Sequence, residues 1–276
     1  MLIQDIESLA LSFMADSPIN RVAPEDALRE DLAGMKLWDE ILLGTASADD
    51  PLFDAMRKEG ALDMGVMLPH DWIPDAVSVI SFFLPFTEEV KKANAKDGKI
   101  PADEWLHARI EGQIALAALG EHITSFLREK GYDAAFPTTD PRFKMLSPFV
   151  SNWSERHTAY ICGLGTFGLS KGLITEKGMA GRFGSIITNA PIPPKERPYT
   201  TPFEYCTMCG ACQTRCPAGA IDKSKGVILG KDHTLCSPYL KEMTFPPQGA
   251  HQRTRYGCGK CQVKVPCESR IPKRTK

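Results

Sequence analysis

The sequence lacks any apolar run long enough to cross a membrane, and its charges nearly cancel. The longest apolar stretch, Val77 to Phe86, is far shorter than the roughly 20 residues that a membrane-spanning helix needs. The net charge of −1 gives no electrostatic signal for a nucleic-acid or membrane partner. The opening MLIQDIESLA carries acidic side chains where a secretion signal needs basic ones. These absences predict a cytoplasmic protein without a membrane partner.

Cysteine is almost absent from the first 205 residues, where only Cys162 occurs, whereas eight cysteines follow. Because a cytoplasmic chain is kept reduced, metal binding or catalysis is expected of these thiols rather than disulfide formation. The segment Pro191 to Pro198 has four prolines in eight residues, and proline interrupts helices and strands. The composition predicts two domains, residues 1–195 and residues 196–276.

The first domain alternates helical and strand-like patterns. Ile6, Leu9 and Phe13 recur at helical spacing, and the β-branched and aromatic run before Pro85 is typical of a buried strand. The expected elements are a helix through residues 6–13, a strand over 76–84, a helix through 116–127 that closes at residues 130–131, and strands over 159–162 and 183–188. The pattern predicts an α/β domain followed by a small cysteine-rich module.

The segment Gly163-Leu-Gly165-Thr-Phe-Gly168 has the spacing G-x-G-x-x-G. In a dinucleotide-binding fold these glycines lead from a strand into a long helix, and an acidic residue follows about 20 residues later. Here Gly172 and Gly178 make a long helix unfavourable, and Arg182 lies near the position of that acid. We therefore expect no dinucleotide site. The glycines instead predict a backbone that approaches a large flat or phosphorylated ligand closely.

The run from Cys206 to Pro217 matches the bacterial ferredoxin pattern C-x₂-C-x₂-C-x₃-C-P at every position. In that pattern three thiolates bind one [4Fe-4S] cluster and the fourth binds a second cluster. A zinc site is less suited, because it prefers two separated pairs of ligands. Four further cysteines complete two sets of ligands. We predict Cys206, Cys209, Cys212 and Cys267 on one cluster and Cys216, Cys236, Cys258 and Cys261 on the other.

Two adjacent clusters predict transfer of single electrons to an acceptor elsewhere in the chain. Residues 251–276 contain eight Lys and Arg residues and one acidic residue, Glu268. These cations either balance the negative charge of the clusters and face water, or attract an acidic, low-potential electron donor such as ferredoxin or flavodoxin.

Several of these features together resemble the corrinoid iron–sulfur reductases, which include epoxyqueuosine reductase and the reductive dehalogenases. The features are Ser154-Glu155-Arg156, the glycine segment with its following Leu-Ile-Thr, Gly184, and the eight late cysteines. The resemblance implies an α+β fold, with a nitroreductase-like α/β sandwich domain followed by a ferredoxin-like module that holds two [4Fe-4S] clusters. It also implies a base-off cobalamin as electron acceptor, and cofactor-binding roles for Gly163, Gly165, Gly168 and Ser170.

The sequence departs from that family at three places. Phe149 stands where epoxyqueuosine reductases have a proton-donating aspartate, and the spacing Cys261-x₅-Cys267-Glu replaces C-x₂-C-x₃-C-P. Because few residues follow the last cysteine, we also expect no helical extension of the kind that some family members use to bind tRNA. A small-molecule substrate is therefore expected rather than tRNA. No catalytic residue is assigned, although Asp140, Glu155 and Tyr160 are candidates for proton transfer. Three other functions stay open: an electron-transfer protein without an organic cofactor, a flavin-dependent iron–sulfur reductase, and a reductive activator of another corrinoid protein.

Four residues beside or within these motifs have ordinary structural interpretations. Glu155 and Arg156 are expected to brace their loop as an ion pair. His157 is expected to be a hydrogen-bonded structural histidine, and Cys162 a small thiol that fills core space.

Overall fold

The structure is a computed structural model that describes residues 2–58, 62–247 and 253–273. The helices are α1 (Leu2–Asp16), α2 (Pro51–Ala55), α3 (Pro69–Trp72), α4 (Glu88–Ala95), α5 (Asp103–Glu129), α6 (Glu155–Ile161), α7 (Ala211–Arg215), α8 (Gly226–Leu229) and α9 (His233–Glu242). The strands are β1 (Leu42–Ser47), β2 (Ser78–Pro85), β3 (Ala134–Ala135), β4 (Met145–Ser147), β5 (Val150–Ser151), β6 (Gly165–Phe167), β7 (Leu173–Thr175), β8 (Gly181–Thr188), β9 (Thr244–Phe245) and β10 (Arg255–Tyr256).

A four-stranded antiparallel sheet lies at the centre of the first part, in the order β1-β2-β8-β3. Strand β2 is buried at all eight positions, which fits its unbroken β-branched and aromatic sequence. Strand β8 pairs with β2 along its whole length, from Ser78 opposite Thr188 to Pro85 opposite Gly181. The predicted strands over 76–84 and 183–188 are therefore confirmed.

The two faces of the sheet are covered by different hydrophobic clusters. Ile80, Phe82 and Leu84 of β2 pack with α1 and α5 on one face. Val79 packs on the other face in a cluster that includes Trp153, just before α6. This alternation follows from the two-residue period of a strand. The result is a mixed α/β arrangement with helices on both faces, as the sequence predicts.

The predicted strand over residues 159–162 is wrong, because these residues close helix α6. Thr158, Ala159 and Ile161 are the buried residues of this helix, which packs against β8. Short apolar runs fit a helix face as readily as a strand, so their sequence does not separate the two. Cys162 caps the helix and is fully buried, as expected for a core thiol, and its Sγ donates to the Val79 carbonyl at 3.6 Å.

The proline-rich segment 191–198 contains no helix or strand. It runs beside β1, where the Lys195 amide donates to the Thr45 carbonyl at 2.9 Å and Thr45 Oγ1 donates to the Pro193 carbonyl at 2.8 Å. The cysteine-rich part that follows shares a hydrophobic cluster with the first part, in which Leu169 and Met179 pack with Cys212. The domain boundary at residue 195 stays a prediction. Within the described residues, no helix combines the length and apolar character that crossing a membrane requires.

Candidate functional site

Four cysteines from two separate segments border one cavity. Cys206, Cys209 and Cys212 come from the cysteine run that ends in α7. Cys267 comes from a separate segment, which follows the short 3₁₀ turn Lys260–Gln262. The structure therefore brings together the four cysteines that the sequence predicts for the first cluster.

The electrostatics of these thiols reflect their burial and their mutual proximity. Burial is the main cause that raises the pKa of Cys212 to about 12, and the charges of neighbouring thiolates raise it further. The pKa of Cys267 also rises to about 12, first through burial and then through Cys212, Cys206 and Cys209. Thiolates held this close oppose one another's ionisation, and a bound metal cluster removes that penalty by supplying positive charge.

The remaining four cysteines form a second group. Burial raises the pKa of Cys258 to about 11, and the charges of Cys261, Cys216 and Cys236 raise it further. Burial also raises the pKa of Cys261, with Cys216 and Cys236 adding to the effect. These thiols come from the end of α7, from α9 and from the segment after β10. The charge of Cys261 also raises the pKa of Cys212. Cys261 therefore lies on the side of the second cysteine group that faces the first group.

Neither group is arranged for a single ion. Within residues 2–58, 62–247 and 253–273, no set of three or more His, Cys, Asp or Glu side chains is placed to hold one metal ion.

Left-handed backbone positions shape both cysteine groups. Gly210 has a φ of 84° between Cys209 and the first turn of α7. Gly259 has a φ of 66° between Cys258 and Cys261. Glycine adopts this conformation without the steric cost that a Cβ brings. The two glycines therefore allow the sharp turns that the chain makes beside these cysteines.

The second cysteine group is attached to the carboxyl end of α4. Lys260 is buried, and its Nζ donates to the carbonyls of Asn94 at 3.1 Å and Lys96 at 3.2 Å. The Asn94 side chain in turn donates from Nδ2 to the Cys258 carbonyl at 2.9 Å. Cations favour the carboxyl ends of helices because the last carbonyls lack partners there. This contact fixes the cysteine segment on the first part.

The glycine segment forms a hairpin rather than a turn into a helix. Gly163 follows α6 with a φ of 83°, and Gly165 begins β6, which pairs with β7. A Cβ on Gly165 would lie 1.9 Å from the Ile174 carbonyl oxygen, and one on Gly163 would lie 3.1 Å from the Glu196 carbonyl oxygen. The chain's own backbone therefore accounts for both glycines. The strand-turn-helix of a dinucleotide fold is absent from this described segment.

Gly168 and Ser170, at the turn of this hairpin, line the same cavity as the first cysteine group. Ser170 is buried, and its Oγ accepts a hydrogen bond from the Gly172 amide at 3.4 Å. The four residues that the sequence predicts for cofactor binding thus separate into two pairs. Gly163 and Gly165 pack against the chain's own backbone, whereas Gly168 and Ser170 lie beside the thiols of the first cysteine group.

Glu155 and Arg156 do not form the predicted ion pair. Glu155 accepts hydrogen bonds from Ser185 Oγ at 2.6 Å and Thr138 Oγ1 at 3.0 Å, and burial raises its pKa to about 7. Arg156 points elsewhere and donates to the Lys171 carbonyl. The two side chains diverge because neighbouring residues of a helix face different directions.

His157 has the structural role expected of it. Its Nδ1 lies 2.7 Å from Ser154 Oγ, its ring contacts Phe167, and burial lowers its pKa to about 4.

The other two candidates for proton transfer occupy different surroundings. Asp140 is paired with Arg142 at 2.8 Å, and this partner lowers its pKa, so Asp140 stays ionised at neutral pH. Burial raises the pKa of Tyr160, whose ring stacks on Tyr199. Phe149, at the position of the missing aspartate, is 49% exposed and contacts the ring of His233 in α9.

Much of the basic C-terminal segment is used in internal contacts. Arg255 is buried and donates to Glu111 of α5 at 2.8 Å, and Arg253 pairs with Asp26 and Glu111. Lys264 pairs with the exposed Asp97. These pairs favour charge balance within the chain over a free docking surface. Residues 251, 252 and 274–276 of this segment lie outside the described residues.

Three arginines on separate elements interact electrostatically, and no motif in the sequence points to them. Arg109 lies on α5, Arg156 on α6 and Arg182 on β8. Burial lowers the pKa of Arg182, and the charges of Arg109 and Arg156 lower it further. Their spacing in the sequence carries no signal, because the interaction depends on the fold alone.

Comparisons with known proteins agree on the cysteine run and on the fold. Residues 200–222 match a family model described as a 4Fe-4S binding domain, which confirms a 4Fe-4S binding segment. A comparison with curated proteins finds no significant sequence match.

Several solved structures share this fold at low sequence identity. Epoxyqueuosine reductase from Bacillus subtilis is 19% identical over 86% of this chain and 66% of its own, with a TM-score of 0.50. An epoxyqueuosine reductase with an epoxyqueuosine-modified tRNA stem loop is also 19% identical, over 84% and 62%, with a TM-score of 0.51. A catabolic reductive dehalogenase is 16% identical over 84% and 30%, with a TM-score of 0.56. The chain therefore spans less than two thirds of the length of each of these structures.

Proposed function

We propose that this chain is an iron–sulfur oxidoreductase with two [4Fe-4S] clusters. The observation that carries the proposal is that Cys206, Cys209, Cys212 and Cys267, from two separate segments, border one small cavity. Four thiolates around one cavity, three of them in ferredoxin spacing, have the donor set of a [4Fe-4S] cluster. The residues present therefore fit this group.

The second cluster is proposed on Cys216, Cys236, Cys258 and Cys261. Its support is that the charges of Cys216 and Cys236 raise the pKa values of both Cys258 and Cys261, which requires the four thiols to lie close together. Buried, mutually repelling thiols are an unfavourable arrangement for a chain without metal. Cys261 faces both groups, so the two proposed clusters are neighbours that can exchange electrons.

A corrinoid in the first part is the proposed electron acceptor. The shared fold with epoxyqueuosine reductase and the reductive dehalogenases supports it. A bound low-valent corrinoid supplies a strongly reducing metal centre. The glycine segment does not fit such a group, because Gly163 and Gly165 pack against the chain and the cavity that Gly168 and Ser170 line is the one proposed for the first cluster. We therefore assign no reaction step to it.

The remaining parts of the proposal concern substrate and electron donor. We propose a small-molecule substrate rather than tRNA, and a low-potential ferredoxin or flavodoxin as donor. Phe149 supports the first point, because its side chain has no proton to give where epoxyqueuosine reductases are expected to have an acid. Solvent-exposed basic residues such as Arg270 and Lys273 are available to an acidic donor.

Cysteine variants test the cluster assignment. Protein purified without oxygen would be analysed for iron, sulfide and visible absorption, comparing Cys209→Ala with Cys162→Ala. Cys162 is a matched control, because it is a buried cysteine outside both groups. We expect Cys209→Ala to lose about half of the iron, since one of two clusters is affected. Iron content that is equal in Cys209→Ala and wild type would overturn the ligand assignment.

A spectroscopic titration tests the acceptor. Cobalamin added to the iron-loaded protein should give the spectrum of a bound base-off corrinoid. An unchanged cobalamin spectrum would reject the corrinoid and leave a simple electron-transfer protein, whereas release of a yellow fluorescent cofactor on denaturation would identify a flavin enzyme.

A further inference from the structure

A buried hydroxyl group borders the cavity of the first cysteine group. In the described part of the chain, the polar side chains that line this cavity besides the four thiols are those of Ser170 and Thr207. Ser170 is 3% exposed, whereas Thr207 is half-buried within the cysteine run itself. The other lining residues are glycine, proline and the apolar types Leu, Ile, Val and Met. The Ser170 hydroxyl is therefore a buried hydrogen-bond donor in an otherwise apolar lining.

The hydrogen bonds of this hydroxyl within the described residues are weak. Ser170 Oγ donates to Met179 Sδ at 3.5 Å, and a thioether sulfur is a weak acceptor. The bond that Ser170 Oγ accepts from the Gly172 amide is long, at 3.4 Å. A buried donor without a good acceptor costs free energy. The hydroxyl is therefore free to turn to a stronger acceptor inside the cavity.

Met179 connects this hydroxyl to a proposed ligand of the first cluster. Met179 Sδ lies 4.0 Å from Cys267 Sγ, and the Met179 amide donates to the Cys267 carbonyl at 3.0 Å. All three residues line the same cavity. Ser170 Oγ, Met179 Sδ and Cys267 Sγ thus follow one another at 3.5 Å and 4.0 Å along its lining. The hydroxyl lies on the side of the cavity from which Cys267 enters.

The hairpin turn that carries Ser170 is held in place. The next residue, Lys171, has a φ of 63°, a left-handed conformation that is uncommon outside glycine. Lys171 Nζ donates to two carbonyls of α8, the nearer at 2.6 Å. The turn is thereby attached to the cysteine-rich part. A side chain on such a turn meets a partner in the cavity without rearrangement of the backbone.

We propose that the Ser170 hydroxyl donates a hydrogen bond to a sulfur atom of the first [4Fe-4S] cluster and raises the reduction potential of that cluster. The inference rests on the proposed function, because it requires the cluster. Cluster sulfurs carry negative charge, and hydrogen bonds to them help to set the potential. Reduction makes the sulfurs more negative, so the bond strengthens and favours the reduced form. Ser170 then acts on the iron–sulfur cluster rather than on a corrinoid.

A redox titration of the iron-loaded protein tests this role. Full-length wild type and Ser170→Ala, purified without oxygen and matched in iron content, would be reduced stepwise with dithionite and followed by EPR. Two clusters give two one-electron reductions, and one of them should need a more negative potential in Ser170→Ala. At the wild-type midpoint of that step, the ratio of reduced to oxidised cluster should fall about three- to tenfold, as expected for one lost hydrogen bond.

Ser81→Ala is the matched control. Ser81 is also a fully buried serine, and its Oγ donates to the Gly184 carbonyl at 3.4 Å within the central sheet, away from the cavity lining. Both potentials of Ser81→Ala should equal those of wild type. Potentials that are the same in Ser170→Ala and wild type would overturn the proposal. An equal shift in Ser81→Ala would overturn it too, because the shift would then come from a general loosening of the core.

A second pair of variants covers the case in which Ser170→Ala does not assemble the first cluster. Ser170→Thr and Ser170→Val have nearly the same shape and differ in a hydroxyl against a methyl group. A more negative potential or a lost cluster in Ser170→Val alone supports the proposal. Any other result for this pair overturns it.

The same titration separates this inference from the proposed function. Wild-type protein that lacks iron, or whose iron is not reducible, would reject the proposed function and the inference with it. Wild type with two reducible clusters whose potentials do not depend on Ser170 would reject the inference alone.

Discussion

The indole ring of Trp105 occupies the space beside Gly259. A Cβ added to Gly259 would lie 1.9 Å from Cζ2 of Trp105. Trp105 is buried in the first turn of α5, whereas Gly259 separates Cys258 from the segment that carries Cys261. The position of the second cysteine group is thus fixed by close packing against the longest helix.

We therefore predict that Gly259→Ala removes the second cluster. The methyl group must displace either the tryptophan or the cysteine segment, so iron content should fall by about half while the first cluster remains. Gly219→Ala is the matched control, since Gly219 also has a positive φ but no atom lies within 4 Å of the position that its Cβ would take. Both variants carry the backbone penalty of about 1–2 kcal/mol, and equal iron loss in the two would contradict the role of packing.

A second prediction concerns the attachment of the cysteine segment to α4. Lys260→Met leaves the Lys96 carbonyl without its charged donor and the Asn94 carbonyl with only the longer bond from Arg215 at 3.4 Å, which should lower the free energy of unfolding by about 1–3 kcal/mol. Denaturant unfolding without oxygen measures this change. Lys264→Met is the control, because the pair of Lys264 with the exposed Asp97 is screened by water and contributes little to stability. A smaller effect at residue 260 than at residue 264 would refute the prediction.

A third prediction follows from the raised pKa of Glu155. Burial raises it from the ordinary value of 4.5 to about 7, so the folded protein holds this proton more tightly than the unfolded chain. The stabilisation is complete below about pH 4.5 and is lost as the pH rises through 7, with a slope of up to ~1.4 kcal/mol per pH unit in between.

Glu155→Gln should remove this contribution. Unfolding free energies measured from pH 5 to pH 8 should fall less steeply with pH in the variant than in wild type. Asp140→Asn is an informative comparison, since its partner Arg142 lowers the pKa of Asp140, and this carboxyl loses no stability as the pH rises through that range. Identical pH slopes for wild type and Glu155→Gln would show that this carboxyl is not protonated near neutral pH.

Local sequence patterns predict the features that depend on local chemistry. The unbroken apolar run predicts β2, and Lys130-Gly131 marks the end of α5. The ferredoxin spacing predicts a 4Fe-4S segment, which the family model confirms. These predictions are correct because the hydrophobic period, the residues that end a helix and the spacing of ligands each depend on a short stretch of sequence.

Long-range packing decides the features that the sequence does not reveal. Ala159 to Cys162 have a pattern that suits a strand, but their contacts with β8 place them at the end of helix α6. Glu155 and Arg156 are adjacent in sequence, yet Glu155 accepts a hydrogen bond from Ser185 of the sheet, whereas Arg156 donates to Lys171 in the hairpin loop. Arg109 and Arg156 influence the pKa of Arg182 only because α5 and α6 both pack against β8.

The decisive measurement is the ratio of iron and acid-labile sulfide to protein in full-length material purified without oxygen. Two clusters require about eight iron and eight sulfide ions per chain, four of each for each set of four cysteines. About four iron and four sulfide ions per chain would contradict the second cluster. Colourless protein that contains zinc in place of iron would contradict the iron–sulfur assignment as a whole.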